Sequence, residues 1–220
     1  MTTATRFDFN LPISTLQAAL LCAAKKDTRY YINGIYLDCS AGLVVSTDGH
    51  RLFAGKAELP QNAPPIIIPR ETVEAAIKSL TKRQREGFHA AITIQEKDGA
   101  NSINGRPAVS ISIYTGAATF TADEIDGRYP EYQRIIPLNC SGEVAVYNPD
   151  YLADARDALA IYCNDSRGEW FNMAYNGQSA GVVHRGPECA ALVVVMPMRS
   201  DAAADFPNLL HVERDIRQAA

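Results

Sequence analysis

The chain has 220 residues, of which 47% are apolar and 21% charged, with a formal net charge of −4. That length holds one large domain or two small ones, and the composition is ordinary for a globular protein. No apolar run reaches the roughly 18 residues a membrane-spanning helix needs, and the acidic balance argues against indiscriminate nucleic-acid binding, though it says little about a local basic face.

The first residues, MTTATRFDFNLP, have no basic region leading into an apolar core, so no secretory signal is expected and a cytoplasmic location is. RFDFN (6–10) reads as a short strand. Pro12 then opens a helix near residues 13–26, with Leu16, Leu20 and Ala23 on one face. The segments YYINGIYLDC, GLVVSTD and RLFAGKA follow with strand patterning. A second strand, PPIIIP, leads into a helix near 70–86, and HAAITIQEK, AVSISIYTG and ATFTADEI follow it. ITIQ and VSISIY alternate strictly, as half-buried strands do. A third strand, EVAVY, precedes Asn148 as an N-cap and Pro149 at the first helical position, with a helix to about Ala160 whose Leu152, Ala155 and Leu159 point inward. EWFNMAYN, AGVVHRG and ALVVVMPM come after it.

The chain therefore reads as strand-helix-strand-strand-strand three times. DGRYPEYQRIIP, rich in proline and tyrosine, separates the second and third units as an extended connector. The expected organisation is a complete two-unit domain over 1–125, a connector over 126–140, a half domain over 141–199 and a tail over 200–220. The tail reads as a spacer, although its ADFPNLL is faintly like a docking peptide.

On a helical wheel zeroed at Val73, Ile77 and Leu80 fall within about 40°, and Lys78, Lys82 and Arg85 lie near the opposite pole. The bland reading of those cations is a solvated face. Lys25 and Lys26 close the first helix and Arg29 follows; cations there also suit the helix dipole. Asp150, Asp154 and Asp157 lie on the outward side of the third helix, with Arg156 nearer the buried one, and that face would repel phosphate. The five cysteines are widely spaced and odd in number, so buried free thiols are expected. Four scattered histidines show no metal-ligand spacing, and no cofactor is expected. Asp48 and His50 share a turn, but no nucleophile, phosphate loop or second carboxylate accompanies them, so an enzyme is not expected.

DTRYYINGIYLDC with STDGHRL, then IIIPRETVEAAIKSL, DGRYPEYQRIIP and VVVMPMR, in this order and spacing, resembles the bacterial sliding clamp, the β subunit of the replicative DNA polymerase. The resemblance runs from about residue 7 to residue 199. It implies an α+β DNA-clamp fold of β-α-β-β-β repeats, with helices on one face of antiparallel sheets. It implies rings of twelve such units around double-stranded DNA, held by phosphate contacts without base readout. It also implies a processivity factor that binds DNA polymerase and other partners through short peptides. The matching pocket residues are Ile32, Thr47, Gly49, His50, Arg51, Leu52, Pro130, Ile135, Val194, Met196, Pro197, Met198 and Arg199. The matching DNA-facing set is Lys25, Lys26, Arg29, Arg70, Lys78, Lys82 and Arg85. The chain departs from the family by carrying three units where six are usual. Units one and two match the middle domain, and unit three matches only the second half of the last. A homo-oligomer paired through unit three, a dimer and then a tetramer, would restore twelve units. The competing reading is a clamp-like module that never encircles DNA and captures or competes for replication proteins.

Overall fold

The computed structural model describes residues 5–101, 105–165 and 168–199, so the tail and its ADFPNLL lie outside the described residues. Strand β1 (Arg6–Pro12) leads into helix α1 (Ile13–Cys22). Strands β2 (Gly34–Asp38), β3 (Leu43–Thr47) and β4 (Arg51–Lys56) follow. Strand β5 (Ile66–Pro69) leads into α2 (Arg70–Lys78) and a short α3 (Lys82–Arg85), then β6 (His89–Asn101), β7 (Pro107–Tyr114) and β8 (Thr119–Asp123). Helix α4 (Pro149–Tyr162) precedes β9 (Asn172–Ala174), β10 (Gly181–His184) and β11 (Ala191–Val195).

Among the described residues all strand pairings are antiparallel and build two sheets. One has the order β1-β6-β7-β8; the other runs β5-β2-β3-β4-β11-β10-β9. Both sheets and helices α1, α2 and α4 share the main apolar core, which holds Leu11, Leu16, Val73, Ile92, Ile111, Leu159 and Val193. Burial of this surface is the main force holding the layers together. A smaller cluster, with Val45, Leu52, Ala54, Ile67, Tyr129, Tyr132 and Val194, covers the other face of the seven-stranded sheet.

Several expectations need correction. The first helix stops at Cys22, not near residue 26. Ala23 is extended there, and Ala24 N–H donates to the carbonyls of Ile32 (3.3 Å) and Thr47 (3.2 Å). Lys25 and Lys26 therefore lie beyond the helix, with Lys26 in the left-handed region at φ 58°. The helix expected over 70–86 is two helices, because Thr81 and Gln84 form a capping box that starts a new one: Thr81 N–H donates to Gln84 Oε1 at 2.9 Å, and Gln84 N–H to Thr81 Oγ1 at 3.4 Å. EVAVY is not a strand: it joins no ladder among the described residues and instead crosses the end of the seven-stranded sheet, where Gly177 N–H donates to the Glu143 carbonyl at 2.7 Å and Met198 N–H to that of Val146 at 2.8 Å. The connector is not simply extended: Tyr132–Arg134 form a 3₁₀ turn. In α4 the expected cap stands, with Asn148 Oδ1 accepting from Asp150 N–H at 2.9 Å. Arg156 is exposed, not turned toward the core, and donates to neighbouring Asp157 at 2.8 Å. Of the cysteines only Cys22 and Cys39 are buried; Cys163 is exposed, and its Sγ lies 2.7 Å from that of Cys189.

Candidate peptide-binding seam and DNA-facing residues

The seam between unit one and unit three is a strand pair. β4 and β11 run antiparallel with Arg51 opposite Val195, Leu52 opposite Val194 and Phe53 opposite Val193. The pairing continues past the ladder, because Met196 N–H donates to the His50 carbonyl at 2.8 Å. Residues some 145 positions apart in the expected pocket, His50 with Met196 and Leu52 with Val194, are thus locked side by side.

The turn 47–51 is built by its own polar groups. Asp48 Oδ1 accepts from the N–H groups of His50 and Arg51, both at 2.9 Å, which is the work of an Asx turn. Thr47 Oγ1 donates to the Arg51 carbonyl at 2.8 Å and accepts from Gly49 N–H at 3.0 Å. Gly49 sits at φ 91°, a region a side chain rarely adopts. The carboxylate of Asp48 is therefore occupied in holding the turn, not poised as a base.

The same turn is fastened to α4. The Arg51 guanidinium bonds Asp48 Oδ2 at 3.1 Å, pairs with Asp154, and lies 4.8 Å over the Tyr151 ring. His50 stacks on Tyr151 with ring centroids 5.8 Å apart. Arg51, expected at the pocket, is thus the link between turn and helix, and Asp154 on the acidic helix has a cation facing it.

Apolar groups from the connector roof the seam. Tyr129 stacks on Tyr36 at 4.5 Å, and the Tyr132 hydroxyl donates to Asp38 Oδ2 at 2.8 Å, both groups being buried. Burial pushes the Tyr36 phenol up to about 12 and raises those of Tyr129 and Tyr132 further. Leu52, Val194, Thr47 and Ile32 are buried; Pro130 and Pro197 are half-buried. Ile135 (40%), Met196 (39%) and Met198 (50%) are exposed apolar side chains, and Gly49, His50 and Arg199 are exposed with them. Buried walls flanked by exposed methionines suit a surface that adapts to varied apolar partners. The tyrosine roof, Asp38 and Tyr151 escaped the sequence reading. The Tyr-Pro-Glu-Tyr spacing in the connector was the one available signal for the roof.

The expected DNA-facing residues divide. Lys25, Lys26 and Lys82 are exposed, and Lys78 is exposed with a long 3.4 Å contact to Glu74. Arg70 is engaged internally: its Nη1 donates to the carbonyls of Leu20 (2.9 Å) and Ala23 (2.7 Å), and its Nε to Glu74 (2.7 Å), so it caps the end of α1. Arg29 holds Asp27 through two guanidinium bonds and one from its backbone N–H, pulling that carboxylate down to about 2, and its guanidinium also donates to the Asp48 carbonyl at 3.1 Å. Arg85 is half-buried and donates to the Leu80 carbonyl at 3.0 Å. A cleft of about 1090 Å³ brings Lys82 and Arg85 together with Arg156, Asp157 and Glu169, a mixed-charge lining.

Repeated helix-and-strand units in two antiparallel sheets, two of the units joined edge to edge at β4–β11 with an apolar seam at the join, define a clamp-fold protein. The family model for the DNA polymerase III beta subunit, central domain, matches residues 10–131, more than half of the chain, and the chain belongs to that family. It is 30% identical over 180 residues to the beta sliding clamp of Proteus mirabilis, covering 78% of this chain and 45% of that one. The chain spans less than half the length of curated sliding clamps that it matches. Among solved structures, the DNA polymerase III subunit beta from Pseudomonas aeruginosa aligns with a TM-score of 0.58 at 22% identity, over 88% of this chain and 67% of that one. The sliding clamp of the same organism bound to griselimycin aligns with a TM-score of 0.57 at 20% identity, over 91% and 67%. These two likenesses establish the fold.

Proposed function

We propose that this chain is a cytoplasmic sliding-clamp subunit: it encircles duplex DNA as a homo-oligomer and holds polymerase and other partners through short peptides at the β4–β11 seam. It catalyses nothing; Asp48 and His50 serve the turn and its dock on Tyr151. The observation that carries the reading is the seam itself, where main-chain pairing sets the His50–Leu52 stretch against Val194–Met196 under a tyrosine roof. That the related Pseudomonas clamp binds griselimycin supports a ligand site on this fold. Thr47, Leu52 and Val194 form the floor. Ile135, Met196, Pro197 and Met198 offer the apolar contacts, and His50 and Arg199 the polar rim.

Lys25, Lys26 and Lys82, together with Lys78 despite its long contact to Glu74, are exposed cations that can meet phosphates, with Arg85 in a lesser part. Arg29 and Arg70 act within the fold. Pairing of Asp154 with Arg51 and of Asp157 with Arg156 lowers the repulsion that the acidic helix α4 would otherwise present. Gel filtration with a nicked circular duplex and with the same duplex linearised tests the reading. Comigration with the circle alone is expected, and equal comigration with both would overturn it.

A further inference from the structure

In the first domain each unit lends its leading strand to the other. β1 ends one residue before α1 and pairs with β6, the first strand of the other unit's sheet, with Pro12 opposite His89. β5 ends one residue before α2 and pairs with β2, with Pro69 opposite Gly34. In both cases the last residue before the helix faces the first residue of the receiving strand. The exchange closes two sheet edges at once.

Unit three has both halves of this device and, among the described residues, a ladder partner for neither. Its leading segment 143–147 alternates like a strand: Val144 and Val146 are 73% and 47% exposed, while Ala145 and Tyr147 are half-buried. It lies outside both sheets. Its receiving strand, β9, ends the seven-stranded sheet and, among the described residues, pairs with β10 alone. The segment crosses the end of its own sheet, with Gly142 N–H donating to Tyr175 O (2.9 Å), Gly177 N–H to Glu143 O (2.7 Å) and Met198 N–H to Val146 O (2.8 Å). Trp170 and Tyr175, exposed at 52% and 37%, flank the open edge. A bare strand edge beside exposed apolar side chains is a template for pairing.

We infer that a second copy of this chain docks here by reciprocal strand addition: residues 143–147 of each copy pair antiparallel with β9 of the other. One two-fold axis then fills both vacancies, as an isologous interface does. The first domain fixes the register. Asn148 faces the partner's Asn172, Tyr147 the partner's Met173 and Val146 the partner's Ala174. The proposal rests on the assembly side of the clamp reading and names its contact.

The test uses full-length chains with Cys140, Cys163 and Cys189 replaced by serine. One carries Val146→Cys and the other Ala174→Cys. Sedimentation velocity should show each to be dimeric at micromolar concentration. Under mild oxidation by oxidised glutathione, the mixture should give a disulfide-linked dimer and neither chain alone should. Val146→Cys mixed with Met173→Cys, one residue out of register, should cross-link far less. A monomer at every concentration, or a dimer whose mixture does not cross-link, would overturn the interface. Retention on circular DNA without this cross-link would sink the interface and leave the clamp reading standing; the cross-link without retention would do the converse.

Discussion

Removing the two exposed methionines at the seam should cost partner affinity in a calculable way. Met196 and Met198 are 39% and 50% exposed, so a bound peptide can still cover about half of each. Full burial of a methionine side chain contributes about 1.5–3 kcal/mol. The remaining fractions then amount to about 0.6–1.2 and about 0.8–1.5 kcal/mol, together about 1.3–2.7 kcal/mol, or roughly 10- to 100-fold in Kd. Met196→Ala with Met198→Ala should show that loss when fluorescent griselimycin or a clamp-binding peptide is titrated and polarisation is read. Because both side chains already reach solvent, the denaturation midpoint should hardly move. Undiminished affinity in a folded double variant would refute the placement of the ligand on this seam.

Other changes follow from the same contacts. Arg51→Ala leaves Asp48 and Asp154 without their cation and Tyr151 without its stacked guanidinium, and should lower stability by about 1–3 kcal/mol in urea unfolding. The folded-state phenols of Tyr36, Tyr129 and Tyr132 titrate above the ordinary value of 10. Their contribution is therefore fully present below pH 10 and is lost as pH rises from there toward about 12, where Tyr36 ionises in the fold. Denaturant midpoints measured across that range should fall, and less steeply in Tyr36→Phe. Replacing Lys25, Lys26, Lys78 and Lys82 with alanine should flatten the salt dependence of DNA binding by about 0.9 in log–log slope for each lysine on a phosphate, with peptide affinity unchanged.

Much of the fold is legible locally because its strands are half-buried and alternate, as in residues 91–95 and 109–114, and because Asn148-Pro149 is a self-sufficient helix start. The break after Lys78 was also written locally, in Thr81 and Gln84, but the apolar spacing of Val73, Ile77 and Leu80 runs across it and masks it. What local pattern cannot encode is which edges meet. EVAVY has strand alternation, yet a strand needs a neighbour, and that neighbour is a tertiary matter. The union of β4 with β11 is likewise invisible along the chain; only the joint occurrence of STDGHRL, GRYPEYQRIIP and VVVMPMR pointed to it. Charge partners are the least legible feature of the sequence. Arg51, Arg70 and Arg29 look free on a helical wheel or in a turn, but carbonyls and carboxylates distant in sequence engage them.

The most direct measurement cuts the DNA while the protein is on it. Subunits are allowed to associate around a nicked circle, the complex is washed at high salt, and a restriction enzyme then opens the circle once. Phosphate contacts alone weaken steeply with salt, whereas a closed ring is held by topology. Protein should survive the wash on the intact circle and be released when the circle is cut. Protein lost in the wash, or retained equally after cutting, would contradict it.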